Sequence, residues 1–510
     1  MRWKLRILVP VRFYLHMLLT ASVFLCPAAV RSQSTTNQPG TPIDVTAQDL
    51  EATEIRNNWL SYHGDLTGRR YSALKEITRD NITQLQLKWV FHSRKVRVLG
   101  APPVVVGGMM YMTASNDLFA IDGRTGAVLW HHTRQETARE KESESAHVNR
   151  GVAILNNKLY METDDAHLLC LDVRSGNVLW EVPFADGDAG YGAVSAPLAI
   201  RDKVIVGVSG SNKFPGGFLA AFDAASGKEI WRLGMLPAYG QSGMPGTYDP
   251  NLDLIFWETG AQSCNSEASA PSADVQQGRC LVALNSNTGK LKWKSLLPDY
   301  EQLNFAVSGV PVLLDTMYQG TFRKLIVAAD SNGFLYIFDR GTGKLLGQRS
   351  FDSMKSSEHT CPEEKLSPSW NPPSYNEQTH IFYFMSLEDC RAKPSQSSAA
   401  HPAPGAKAEP KSIGKSTLLA YDLTSDKLVW KDDSVAADHA PTGMMTTASG
   451  LLLFGGKAQS FQAADAVSGK VLWSFPMGQS PTGSPMSYSI AGNQYFAIAA
   501  GNDLFVFGLP

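Results

Sequence analysis

Six cysteines in 510 residues are too few for a disulfide-built scaffold, and none stands in a Cys-x-x-Cys-His arrangement, so the chain carries no attachment site for c-type haem. Charge is also scarce. Charged residues make up 18% of the chain and the formal net charge is −2. It falls to −7 if the five basic residues before Ser32 are removed. A weakly anionic protein offers no phosphate-binding surface, which argues against a nucleic-acid partner. No phosphate-cradling glycine loop, His-Glu-x-x-His helix or serine-nucleophile elbow occurs. Long apolar runs are missing beyond the N-terminus, so no transmembrane anchor is expected. The start itself reads MRWKLRILVPVR, FYLHMLLTASVFL and CPAAVRSQ: a basic region, a short apolar run and small residues. That pattern predicts a signal peptide over 1–32 and a secreted or periplasmic mature protein. A lipoprotein reading of Cys26 is opposed by Leu25, which stands where a small residue is wanted.

What the chain has in abundance is one repeated phrase. FAIDGRTGAVLW ends at Trp130, LCLDVRSGNVLW at Trp180, AAFDAASGKEIW at Trp231 and VALNSNTGKLKW at Trp293. YIFDRGTGKLLG ends at Gly347, LAYDLTSDKLVW at Trp430 and QAADAVSGKVLW at Trp473. Each reads as a strand, a tight Asp-x-x-Thr/Ser-Gly turn and a second strand. The turn glycine accepts φ > 0, and the aspartate side chain accepts hydrogen bonds from backbone N–H groups just ahead of it. Asp172, Asp223 and Asp465 are therefore read as turn-fixing residues rather than acid–base groups. The tryptophans are expected to pack between neighbouring units as core. A period of about fifty residues leaves room for four strands per unit, which is a propeller blade.

Counting gives eight blades. Trp89 in LQLKW precedes the series, and the chain ends on QYFAIAA and LFVFGLP with no further turn-and-Trp unit. An all-β, eight-bladed β-propeller over 59–510 follows, its ring closed by the N-terminal strand pairing with the C-terminal blade. Closure removes the free sheet edges. Residues 33–58 form an arm leading in. Two polar excursions, within 266–278 and 391–416, bury too little apolar surface to order and are expected to be mobile loops. Cys361–Cys390 and Cys264–Cys280 are the favoured disulfide pairings because each closes a surface excursion, while Cys170 inside HLLCLD is expected to be a buried free thiol.

In order along the chain, NNWLSYHGDLTGRRYSALKEITRDNITQLQLKW, VNRGVAI, DAHLLCLD, APLAIRDKVIVGVSG, TYDPNLDLIFWETG, SNGFLYIFDRGTGKLL and GNDLFVFGLP resemble the quinoprotein alcohol and methanol dehydrogenases. These are periplasmic eight-bladed propellers that use pyrroloquinoline quinone (PQQ) with calcium or a lanthanide. The resemblance runs from about residue 57 to 510. It implies that Arg150 contacts a PQQ carboxylate, that Ser209 and Gly210 contact the cofactor, and that Cys361–Cys390 occupies a disulfide position common in the family.

At the chemical positions the chain departs from that pattern. The metal-ligating Glu after Ser-Gly is Asn212, and the Asn of the family's Gly-x-Gly-Asn stretch is Ala261 in WETGAQS. The catalytic Asp is Asn304, the Arg that polarises the quinone is Ser331, and GQSGMPGTYDP has no Trp to lie under the ring. An amide donates oxygen without charge and alanine donates nothing, so calcium or lanthanide binding at Asn212, Ala261 and Asn304 is disfavoured. A neutral Asn304 cannot accept an alcohol proton, which removes general-base help of about 10²–10⁴-fold. The expectation is a PQQ-linked oxidoreductase of an alcohol or related small molecule with a degraded or rebuilt site. The alternative is a non-catalytic propeller that binds a small molecule in its central cavity or a protein partner, in a scaffold or assembly role.

Overall fold

The computed structural model describes residues 43–54, 57–93, 98–134, 149–187, 191–193, 195–209, 217–234, 244–259, 280–297, 309–329, 334–351, 372–388, 415–433 and 442–510. Eight antiparallel sheets follow one another, spanning 104–132, 152–183, 198–234, 247–296, 312–350, 374–432 and 444–476, with the eighth over 486–508. We number them blades 1 to 8. The eighth blade is completed by Gln86–His92, which pairs antiparallel with Asp503–Gly508. The first strand of the propeller thus supplies the outer strand of its last blade, as the strand count anticipated.

Most blades run from a fully buried first strand, such as Val152–Leu155, to a fourth strand with alternating exposure, such as Val178–Pro183; in blade 5 the first strand, Val312–Tyr318, also exposes Asp315 and Met317. The repeated phrase is the hairpin between the third and fourth strands. Asp172 Oδ1 accepts from the backbone N–H groups of Arg174 and Ser175 at 3.1 and 2.8 Å, and Asp465 Oδ1 accepts from those of Val467 and Ser468. The turn glycines lie at positive φ, +71° at Gly176 and +75° at Gly469. Their second role is steric. A Cβ on Gly176 would stand 2.5 Å from Trp130 of the preceding blade, and one on Gly227 would stand 2.8 Å from Trp180. Gly126, Gly289, Gly343 and Gly469 meet Trp89, Trp231, Trp293 and Trp430 in the same way.

Each indole therefore lies flat on the turn of the next blade, and most also donate to a carbonyl there: Trp130 Nε1 to Val173 O at 3.3 Å, Trp231 Nε1 to Ser286 O at 2.9 Å. The tryptophans do bridge blades, but they are less buried than core residues. Only Trp89 and Trp231 are buried, the others being intermediate, because they sit on the outermost strand with one face against the neighbour and an edge toward solvent.

One joint is built differently. Blade 5 ends its phrase on Gly347, and blade 6 places Asp426, at φ +57°, where the turn glycine belongs. Arg349 forms an ion pair with Asp426, Tyr421 donates its hydroxyl to the same carboxylate, and the Tyr318 hydroxyl fills the space where a side chain on residue 347 would go. Indole and glycine are lost together and a polar contact replaces both. At the closing seam, where no turn follows, Trp473 packs edge-on against Phe507 at 5.4 Å and Phe461 at 5.6 Å.

The arm does more than lead in. Helix Ala47–Glu51, capped by Thr46, lies by the turns of blades 2 and 3, where Asn156 N–H donates to Val45 O and Arg201 pairs with Glu51, and the segment after it runs along the inner strands of the ring. Trp59 exchanges backbone hydrogen bonds with Val105 of blade 1. The carbonyls of Leu66, Thr67, Arg69 and Arg70 then accept from the first strands of blades 4, 5, 6 and 7 in turn, through the N–H groups of Tyr248, Leu313, Tyr375 and Thr446. Tyr71–Ser72 finishes the crossing by pairing parallel with Thr446–Thr447. Arg70 fixes this plug. Fully buried, it donates to Met444 O at 2.9 Å, Tyr62 O at 2.8 Å and Pro485 O at 2.5 Å, with the Trp59 ring 5.3 Å away. Burial lowers its pKa to about 10.

Among cysteines, Cys170 is a buried free thiol, as expected. Cys280 is buried and disulfide-bonded. Cys264, Cys361 and Cys390, like 266–278 and 391–414, lie outside the described residues; 415–416, expected in the second loop, instead open the strand Lys415–Asp422.

Two stability predictions follow from these contacts. Gly176→Ala should cost about 1–2 kcal/mol for left-handed backbone plus about 1–3 kcal/mol for displacing Trp130. Gly320→Ala, at φ +73° with open space around it, should cost only the first part; equal shifts in urea midpoint for the two variants would contradict the docking role. Arg70→Met should destabilise by about 3–5 kcal/mol by leaving three carbonyls unpaired, seen as a lowered Tm.

Candidate functional site at the channel mouth

In every blade the chain enters the first strand, and leaves the second, at the same end of the sheet. That end of the ring is the mouth. The residues just before the first strands of blades 2 to 5 are Arg150, Ser195–Ala196, Met244 and Gly309–Val310, and they meet over the plug. Tyr62 packs with Ala196, Met244 and Val310 in one buried cluster. The second strands of blades 2, 3 and 4 end at the same level on Glu162, Ser209 and Glu258.

Arg150 is 6% exposed. Its guanidinium donates to Gly100 O at 3.4 Å and is held by the Tyr62 hydroxyl, which also reaches Met244 Sδ at 3.9 Å. Burial lowers its pKa to about 10, so it remains a cation at neutral pH. Residue 150 is also fixed from behind. The side chain of Asn149 donates to Glu162 O at 2.9 Å and accepts from the Gly151 N–H at 2.9 Å, which ties the first strand of blade 2 to the end of the second.

Glu162 is 1% exposed, and neither carboxyl oxygen has a hydrogen-bond partner. Burial pushes its pKa well above the carboxylate range, opposed only by the Ser195 hydroxyl across the seam to blade 3. That hydroxyl is directed at Gly207 O, 3.4 Å away. From the other side Trp257 of blade 4 lies on Gly207, where a Cβ would come within 2.7 Å of the indole. Its neighbour Glu258, 4% exposed, turns toward blade 5, with Oε1 3.5 Å from where a Cβ on Gly309 would be. Beneath, His63 of the plug is held neutral, its pKa pushed well down by burial and then by the Arg70 charge.

Of the residues singled out in the sequence, Arg150 and Ser209 stand at this mouth, Ser209 paired with Gly192 at the strand end. Gly210, Asn212, Ala261, Asn304 and Ser331 lie outside the described residues. Glu162, Glu258 and Tyr62 were missed. The signal for the two acids was a glutamate closing an otherwise apolar strand, KLYMET and LIFWET. His131, on the outer strand of blade 1, stacks flat on Phe119 at 4.0 Å.

The fit of the family's groups is uneven. A buried cation at the mouth suits a carboxylate of PQQ. The positions that the resemblance assigns to the metal, 212, 261 and 304, lie outside the described residues. Among the described residues no three His, Cys, Asp or Glu side chains gather as a metal site, and no helix is long and apolar enough to cross a membrane.

Comparison with known proteins agrees with this geometry. Quinohemoprotein alcohol dehydrogenase ADH IIB of Pseudomonas putida is 28% identical, over 90% of this chain and 76% of the relative. A lanthanide-dependent methanol dehydrogenase of Methylacidiphilum fumariolicum is 26% identical, over 87% of this chain and 84% of its own. The crystal structure of the quinohemoprotein alcohol dehydrogenase of Comamonas testosteroni superposes with a TM-score of 0.76 at 23% identity, covering 91% of this chain and 82% of that one, and shows the shared fold. The family described as PQQ, glucose/ethanol/alcohol dehydrogenase, beta-propeller domain, matches residues 59–381 and 416–496. With eight blades and a cation at the mouth, the chain belongs to this family of PQQ-dependent dehydrogenase propellers.

Proposed function

We propose that the protein binds PQQ at the channel mouth and acts as a PQQ-linked oxidoreductase of an alcohol or related small molecule, with a metal and base region rebuilt from the family pattern. The observation that carries this reading is Arg150: a buried guanidinium, positioned by Tyr62 and Gly100 O at the mouth. Such a charge is costly to desolvate and is compensated when an anion docks on it. When bound, PQQ supplies a two-electron quinone. The protein's own part is to hold one carboxylate on Arg150, to present Ser209 and Gly210 to the cofactor, and to exclude water through the apolar floor of Tyr62, Ala196, Met244 and Val310. Asn304 takes no proton, so alcohol oxidation at the family's usual efficiency is not part of this proposal.

The replacements at Asn212, Ala261, Asn304 and Ser331 favour a second reading, in which the propeller binds a small molecule or a protein without turnover. Under either reading we infer export to the periplasm after loss of 1–32 and disulfides Cys264–Cys280 and Cys361–Cys390.

Calorimetric titration of the purified protein with PQQ, with and without calcium or a lanthanide, separates the readings. PQQ should bind with a measurable heat, and Arg150→Ala should weaken binding by at least about tenfold, the loss of one charge-assisted contact. No heat under any condition refutes PQQ binding. Binding without reduction of an artificial dye by alcohols supports the non-catalytic reading. Restoring Asn212→Glu, Ala261→Asn and Asn304→Asp together should produce dye-linked turnover if only the charges were lost. A triple variant that binds PQQ yet stays inactive would show that the site has changed beyond those three positions.

A further inference from the structure

Blade 5 departs from the others in a second way, at the end of the ring opposite the mouth. Its first strand, Val312–Tyr318, has seven residues and its second, Thr321–Ala329, has nine, whereas the first strands of blades 4 and 6, Thr247–Asp249 and Ser374–Asn376, have three. At the rise of a strand the hairpin extends about 13 Å further than its neighbours. It turns back through Gln319 and Gly320, both at positive φ.

Alternation gives this extension two faces. Thr316 and Tyr318 turn inward. The Thr316 hydroxyl accepts from Tyr375 of blade 6 at 3.2 Å and lies 3.3 Å from His380 Nδ1, and the Tyr318 hydroxyl stands beside Gly347. That packing braces the hairpin. Asp315 and Met317 turn outward, and the register sets them opposite Lys324 and Phe322. Met317 is 42% exposed and Phe322 63%, more than any other large apolar side chain among the described residues. One exposed apolar residue needs no explanation, but two facing each other on a braced hairpin form a patch.

The charge left over around this pair has one sign. Asp315 turns to Arg340 rather than to Lys324, Asp426 is taken by Arg349, and Asp339 accepts from the Thr342 hydroxyl within its own turn. Lys324 is exposed, as are Lys344 and Lys427 beside the outer turns of blades 5 and 6 at the same end of the ring. None of the three forms an ion pair among the described residues. A specific protein partner needs roughly 800 Å² of complementary surface on each side, which two side chains do not supply. A second copy would set the same lysines against one another. A bilayer makes neither difficulty: its interface accepts apolar side chains without shape matching, and anionic headgroups complement the lysines. The net charge of −2 does not oppose this, because charges more than about 10 Å away are screened at physiological salt.

We propose that the blade 5 hairpin docks the protein on an anionic lipid surface, with Phe322 and Met317 entering the interface and Lys324, Lys344 and Lys427 on the headgroup phosphates. The mouth, at the other end of the ring, then faces away from the membrane. Docking of this kind does not require PQQ.

Co-sedimentation with vesicles of phosphatidylcholine, alone or mixed with phosphatidylglycerol, tests this on the purified protein without PQQ. Wild type and variants carry the same N-terminus, so their difference reads the hairpin and not residues 1–32. The wild type should bind the mixed vesicles, release them as salt rises, and bind phosphatidylcholine vesicles at least about tenfold more weakly. Phe322→Ser should weaken binding to the mixed vesicles at least about fivefold, and Lys324→Glu with Lys344→Glu at least about tenfold. These side chains face solvent, so Tm should not fall; if Phe322→Ser fails to fold, Met317→Ser replaces it. A wild type that does not bind the mixed vesicles, or variants that bind as the wild type does, would overturn the proposal. Self-association lost in Phe322→Ser, without vesicle binding, would assign the hairpin to a second copy of the chain and overturn it as well.

Discussion

The ring depends on one contact made again and again: the indole at the end of one blade lying on the glycine turn of the next. It is specific because it needs both partners. The glycine supplies a left-handed turn and a flat surface with no Cβ, and the indole supplies area and a donor for the adjoining carbonyl. At Gly176, Gly227, Gly289, Gly343 and Gly469 the fit is close enough that a single methyl group would collide with the ring. Such a contact sets the angle between adjacent blades as well as their attraction. Repeated with a constant angle, it brings the last blade to the first, and Gln86–His92 completes the sheet there.

The joint between blades 5 and 6 shows that this contact works as a pair. Without an indole on residue 347 there is no surface demanding a glycine at 426, and an aspartate occupies the left-handed position instead. The ion pair with Arg349 and the Tyr421 hydroxyl then hold the blades together through charge. Asp426 is kept below the usual carboxylate range by those two partners against the effect of burial. A partly exposed ion pair contributes less than a large packed surface, so this seam relies more heavily on the strands beneath it, the Phe351–Tyr421 and Phe351–Phe384 contacts among them.

Much of this architecture is legible in the sequence because the turn has strict chemistry. Asp-x-x-Thr-Gly followed by a tryptophan names the hairpin, its period names the blade, and the incomplete last unit names the closure. The plug was less legible. Arg70 donates to carbonyls of residues 444 and 485, and no local pattern around residue 70 announces partners so distant. Glu162 and Glu258 were hidden for another reason. The second strands are buried on both faces, so they read as uninterrupted apolar runs, and a terminal glutamate looks like the first residue of a solvated loop. Only the packing of the next blade against that strand end shows that it is enclosed. Arg150 and Ser209 were found through family resemblance, which carries position but says nothing of how Tyr62 holds the guanidinium.

Charge connects the two halves of the molecule's chemistry. The described mouth contains a buried arginine and two buried glutamates. These ionisable groups stand on or beside strand ends. A group on a strand end is positioned by sheet pairing and by the neighbouring blade, with little freedom to turn away from its burial cost. Arg150 offsets that cost through Tyr62 and Gly100 O. Glu162, among the described residues, has only the Ser195 hydroxyl to oppose its burial. Two other buried acids of the described residues are paired with arginines instead, Asp65 with Arg69 and Asp249 with Arg340, so the same fold meets the cost of a buried carboxylate in two different ways.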